Sequence, residues 1–181
     1  MKKIILRIAA GLVVLIAALL IFASTKPDAF HVERSIVIDA SSGIISPFIN
    51  NFHNWYSWSP YENLDPAMKK TFSGAENGKG AVYAWEGNSN VGAGRMEIID
   101  TSLSRITIDL DFIKPFETQN ITEFILEPEE ENTKVTWAMH GPNRFTGKIM
   151  GVFFSMDHMI GKDFEAGLSN LKSLTERQRY K

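Results

Sequence analysis

The longest apolar run lies at the N-terminus. Residues 8–23, IAAGLVVLIAALLIFA, contain no polar side chain, and accepting Arg7 extends the run back to Ile4. Twenty helical residues rising about 1.5 Å each cover about 30 Å, the thickness of one bilayer core. Arg7 stands within a turn of the end, where its guanidinium reaches the headgroups. The run is longer than the apolar segment of a cleaved signal peptide, and the following FASTK at 22–26 offers no Ala-x-Ala exit. An uncleaved anchor over residues 1–26 is therefore expected. Lys2, Lys3 and Arg7 precede the span, while Lys26 follows it with Asp28 close by. That asymmetry puts the N-terminus in the cytoplasm and the domain, residues 27–181, on the outer side, in a bacterial periplasm or its equivalent.

Past this span the period changes. Residues 30–39, FHVERSIVID, place Val32, Ile36 and Ile38 on one parity against His31, Glu33 and Ser35, a strand with one buried face. Ile44, Ile45, Phe48, Ile49 and Phe52 recur at helical spacing after a Ser cap, which requires Pro47 to fall in an early turn. A second short helix or turn over 54–59 carries Trp55, Tyr56 and Trp58 and ends at Pro60. Strands follow at 68–72, 81–85, 94–100, 105–113, 118–127 and 133–140, separated by Gly, Asn and Pro signals as in an antiparallel meander. Ile106, Ile108, Leu110 and Phe112 alternate with Thr107, Asp109 and Asp111, so one face there is wet. The acidic EPEEEN at 127–132 reads as a solvated hairpin turn. From about 145 to 177 the helical period returns: Phe153, Asp157, Ile160, Phe164, Leu168 and Leu171 form an inward stripe, with a break near Gly151. One strand, short helices, a meander and a long helix make an α+β domain.

Charge narrows the function. Residues 27–181 hold 15 basic and 21 acidic residues, a net charge of −6. Attraction to nucleic acid phosphates or anionic headgroups needs clustered Lys and Arg, so nucleic acid is excluded as the main partner. The chain has no Cys, which removes thiol nucleophiles, Cys-based zinc sites and disulfides and says nothing of the redox compartment. His31, His53, His140 and His158 show no metal-ligand spacing, so neither metal nor cofactor is expected.

Trp55, Trp58, Tyr61, Tyr83, Trp85, Phe112, Phe116, Trp137 and Phe164 either fill a core or line an apolar ligand cavity, together with Ile160. Asp157 on the inward stripe, with Gly161 and Gly167 leaving room beside the backbone, suggests a pocket next to a polar group. The alternative is that Asp157 caps a second helix starting after a break near Ser155, with the glycines permitting close sheet contact. His140 and His158 are candidates, with Asp157, for acid/base catalysis at a shared cavity mouth; a surface or capping role is the plain alternative. The Gly-rich GNSNVGAG at 87–94 lacks the strand-loop-helix setting and the Lys of a phosphate loop and reads as a hairpin. Asn120-Ile121-Thr122 is a glycosylation sequon by chance, in mid-strand.

The blocks VERSIVIDA at 32–40, NWYSWSP at 54–60, YAWEGN at 83–88, VGAGRMEI at 91–98, LDFIKPFE at 110–117, VTWAMHG at 135–141 and MIGKDFEAGLSNLK at 159–172 occur in an order that resembles the polyketide cyclase/dehydrase and lipid-transport branch of the START-like (SRPBCC) superfamily, in a membrane-anchored form. The resemblance covers residues 30–174. It implies a helix-grip fold, in which a strongly bent antiparallel sheet wraps the long C-terminal helix and leaves a deep apolar cavity. It carries no shared catalytic set onto this chain. Three activities follow as expectations: a tethered carrier for a lipid-like or aromatic molecule, with Tyr83, Asp157 or His140 orienting it; a cyclase or dehydratase; or a sensor docking a partner through residues 54–61 or the acidic hairpin.

Overall fold

The alternation in residues 30–39 produces strand β1, Ala29–Ile38, with Val32 and Ile38 buried and His31 and Glu33 in solvent. The computed structural model describes residues 2–178; Met1 and residues 179–181, the last of the expected domain, lie outside the described residues. Before β1 comes helix α1, Lys2–Ser24, long and apolar enough to cross a membrane. After it come helix α2, Ser42–Asn50, and two 3-10 turns, Phe52–Ser57 and Pro60–Asn63. The meander runs β2 Lys69–Gly74, β3 Ala81–Glu86, β4 Ala93–Thr101, β5 Arg105–Lys114, β6 Thr118–Glu129 and β7 Asn132–Pro142. Helices α3, Phe145–Phe153, and α4, Met156–Glu176, close the chain.

All seven strands form one antiparallel sheet in the order β1-β7-β6-β5-β4-β3-β2, with register shifts in β4 at Ala93/Gly94 and Ile98/Asp100. Such irregularities bend a strand and raise its twist, which curls the sheet toward the helices. Because side chains alternate, the register fixes which rows face inward. Ile106 pairs with Phe124, Phe124 with Trp137 and Trp137 with Arg34, one inward row across four strands. Further along, Met96 pairs with Leu110 and Leu110 with Asn120. The acidic hairpin joins β6 to β7, with Glu130 at φ 56° in the left-handed region.

Pro47 sits in the second turn of α2, an early turn as a single helix requires, and one expected boundary shifts. A proline there forfeits one bond to the preceding turn, which a short helix packed on its neighbours tolerates; its own carbonyl accepts from Asn54 Nδ2 at 2.9 Å. The break in the C-terminal segment falls at Phe154-Ser155, beyond Gly151. Glycine alone costs a helix only about 1 kcal/mol, whereas the Ser155 hydroxyl starts a new one by accepting from the His158 amide at 3.2 Å.

Candidate functional site

The inward face of the sheet and the α4 stripe meet in a layer of aromatic rings. Trp137 stacks on Phe164 of α4 with centroids 4.0 Å apart and planes 10° from parallel, and on its other neighbour Phe124 at 4.9 Å. Trp58 and Trp55, from the first 3-10 turn and its end, meet Trp137 edge-on at 5.5 and 6.4 Å. Their indole nitrogens donate to the Phe48 and Ile49 carbonyls at 2.9 and 3.0 Å, so the end of α2 holds both rings. Tyr83, Trp85 and Phe112 continue the aromatic row across β3 and β5. Ile160 is half-buried beside this cluster.

The deep cavity expected between sheet and long helix is not formed under this part of α4. Trp58, Trp137 and Phe164 are 1–2% exposed and fill that space. Gly167 explains how α4 comes so close: a Cβ there would lie 2.7 Å from the Trp137 ring and 3.1 Å from Pro60. The glycines serve close packing, the second of the two readings drawn from the sequence.

Two polar atoms on this inward face are buried without a partner among the described residues: the indole N–H of Trp137 and the carboxamide oxygen of Asn120, on residues 2% and 3% exposed. Asn120 shares the inward parity of Phe124 and lies over Gly141, where an ideal Cβ would be 2.1 Å from its oxygen. Four residues of strand separate Asn120 from the Phe124–Trp137 row, about 13 Å. A donor and an acceptor thus flank a surface that is apolar except for Thr122.

The remaining candidates lie elsewhere. Phe116 is 67% exposed at the β5–β6 hairpin and lines nothing. Asp157 is not buried: its side chain is 61% exposed in the first turn of α4, at the edge of the sheet-facing side, where it accepts from Arg34 Nη1 at 2.9 Å and Nη2 at 3.0 Å. His140 and His158 do not meet. His140 pairs with Ile121, on the outer parity of the sheet, and its ring stands 6.4 Å from His31, while His158 is exposed on the helix side. Tyr83 is committed, because its hydroxyl donates to Glu62 Oε1 at 2.9 Å and burial beside that carboxylate pushes its ionisation well above the usual range. Tyr61 is likewise raised by burial first and then by its bonded neighbour Asp163. The outer face carries shallow grooves, one of about 300 Å³ lined by Asp109, Gln119, Ile121 and His140, too open to enclose a molecule. Among the described residues no cluster of three His, Asp or Glu side chains stands together as a metal site.

Sequence reasoning missed Arg34, Glu62, Asn120 and Asp163. Arg34 is the most consequential for the geometry. From β1 it grips α4 twice, through Asp157 and through Nε to Glu165 Oε1 at 2.7 Å, and its guanidinium lies against Gly161, where a Cβ would be 2.1 Å from Nη2. The bonds from Arg34 hold the Asp157 carboxyl below the usual carboxylate range. A carboxyl whose folded pKa is depressed adds stability above its unfolded value, about 3.9, and loses it as pH falls through the lower folded value. Arg34→Gln should therefore lower the melting temperature at neutral pH and flatten the decline in stability below about pH 4. Melts of both proteins from pH 7 downward check this; parallel acid limbs would show that the clamp is not coupled to folding.

The comparisons agree with this architecture. The family described as polyketide cyclase / dehydrase and lipid transport matches residues 29–176. Among solved structures, a Nitrosospira multiformis protein is 20% identical, with TM-score 0.58, covering 84% of this chain and 100% of its own. A Helicobacter pylori protein is 9% identical, with TM-score 0.63 and coverage of 85% and 92%. DynU16, a protein in the dynemicin biosynthetic locus, is 12% identical, with TM-score 0.55; the match covers 83% of this chain and 48% of that one. No curated protein matches. A curved seven-stranded antiparallel sheet packed on a C-terminal helix, with a family match spanning nearly the whole domain, places this chain in the polyketide cyclase/dehydrase and lipid-transport family.

Proposed function

We propose that the chain is a membrane-tethered binding or carrier protein for an apolar small molecule, lipid-like or aromatic, seated along the inward face of the sheet. The observation that carries this reading is the pair of buried, unpartnered polar atoms, Trp137 Nε1 and Asn120 Oδ1, at either end of a surface that is apolar except for Thr122. A buried donor or acceptor without a partner costs about 1–3 kcal/mol, a cost that a ligand with a polar group at either end removes. Burial of apolar area at about 25 cal/mol per Å² supplies the rest of the affinity. Because the rings under α4 are packed, the ligand enters by displacing that helix or the rings of residues 52–58. Family membership supports a hydrophobic ligand. Helix α1, which begins with Lys2 and Lys3, supports a tether with the N-terminus in the cytoplasm and residues 27–181 on the outer side.

The test uses full-length protein extracted from membranes in mild detergent. All four Trp lie in the domain, so a brominated fatty acid reports directly on the aromatic layer. The expected result is an apolar molecule recovered by native mass spectrometry and solvent extraction, with saturable quenching of tryptophan emission. Absence of both a recovered molecule and quenching would overturn the reading.

A further inference from the structure

The segment joining the sheet to α4 is built unlike the rest of the surface. From Phe145 to Met156, FTGKIMGVFFSM, it carries a single charge, Lys148, and that ammonium is tied to Asp28 just past the end of α1. Phe145, Met150, Phe153, Phe154, Met156 and Met159 are 38–64% exposed, in α3, the elbow and the first turn of α4. Contiguous exposed Phe and Met on a water-facing surface are strongly unfavourable and mark an interaction site.

What covers this patch follows from its connection to α1. Helix α3 packs against α1, whose Ala23 is fully buried. The Asn143 amide donates to the Asp28 carbonyl at 2.7 Å and its carboxamide nitrogen to the Pro27 carbonyl at 3.1 Å, while Lys148 holds the Asp28 carboxylate. Three bonds thus fix α3 to the residues at which the chain leaves α1. If α1 spans a bilayer, those residues lie at its surface and α3 lies there with them, continuous with the lipid-facing side of α1.

We infer that α3 and the α3–α4 elbow are an interfacial membrane-docking surface, with Met150, Phe153 and Phe154 inserted into the same bilayer that α1 crosses. An amphipathic element of this kind sits about 5–10 Å into the headgroup and acyl boundary. Apolar insertion drives the docking, so it needs no basic cluster, consistent with a domain of net charge −6. The elbow also starts α4, so docking sets the helix that roofs the aromatic layer against the lipid from which an apolar ligand would come. This inference rests on α1 as a spanning anchor, and the experiment separates the two.

The chain has no Cys, so single-cysteine variants of the full-length protein carry one label each. Phe153→Cys, Leu15→Cys in mid-span and Leu103→Cys, 93% exposed on the far β4–β5 hairpin, are labelled with an environment-sensitive fluorophore and reconstituted in phosphatidylcholine/phosphatidylglycerol vesicles. The expected result is a blue-shifted label at position 153, quenched by lipids spin-labelled near the headgroup and protected from aqueous iodide. The label at 15 is quenched by lipids labelled deep in the chain, and the one at 103 by iodide alone. A label at 153 quenched like that at 103, or shielded from both quenchers by a second protein copy, overturns the docking while leaving the anchor intact. Failure of deep quenching at 15 overturns the anchor and the docking together.

Discussion

Trp137→Ala is expected to cost about 3–5 kcal/mol of folding free energy. That is a large part of the total for a domain of this size, typically about 5–15 kcal/mol. The magnitude follows from position. The Trp137 ring is 2% exposed and meets five other rings: Phe164 on α4, Phe124 on β6, Trp58 and Trp55 from the helix layer, and Tyr61 edge-on at 6.4 Å. Those rings are held by α2, the 3-10 turns and the sheet, so they cannot collapse into the space left behind, and the cavity cost adds to the lost transfer energy. Urea denaturation followed by circular dichroism measures the loss. A cost below about 1 kcal/mol would mean that the ring borders empty space rather than packed matter. Trp137→Phe separates packing from polarity. It keeps an aromatic ring and deletes an N–H that has no partner, so the relief of a buried donor offsets part of the lost volume and stability should stay within about 1 kcal/mol of the parent. Binding of the brominated fatty acid should nevertheless weaken, by up to about tenfold if the ligand accepts that hydrogen bond.

The contrast between these two substitutions reflects which parts of the molecule were legible from sequence. Period together with Gly, Asn and Pro turn signals located the strands, although β2 is exposed along its whole length and gave no alternation of burial. The resemblance then implied one bent antiparallel sheet. Side-chain destinations were harder. Aromatic residues satisfy a core and a cavity wall equally well, so nothing along the chain distinguished a filled interior from a hollow one. Asp157 belongs to the helical stripe by spacing, yet it lies in the first turn of α4 near the elbow, exposed and paired with Arg34 from 123 residues away. No local pattern encodes such a partner. Phe116 follows the apolar parity of β5 but lies past the end of that strand, in the hairpin. Asn120 did leave a signal. It and Thr122 occupy the inward parity with Phe124 and Leu126, and a polar residue at a buried strand position, here facing Gly141, is a request for a partner.

Two helix glycines respond oppositely to one added methyl group, and the sign of each response reports on how α4 is seated. At Gly151 in α3 no atom lies within 4 Å of an ideal Cβ, so Gly151→Ala gains helix propensity without a clash and should stabilise the protein by about 0.5–1 kcal/mol. Gly167→Ala gains the same propensity but drives its Cβ to 2.7 Å from the Trp137 ring, whose opposite neighbours leave it nowhere to retreat. Relief requires α4 to lift away from the sheet, and overpacking of this kind costs about 1–3 kcal/mol, which exceeds the propensity gain. Gly167→Leu enlarges the clash and should cost more than the alanine. Lifting α4 also loosens the Trp137–Phe164 stack, through which a ligand must pass. Gly167→Ala is thus expected to lower the melting temperature while speeding association of the brominated fatty acid, a combination that simple unfolding does not produce. If association slows instead, α4 is a fixed wall, and passage runs through the rings of residues 52–58.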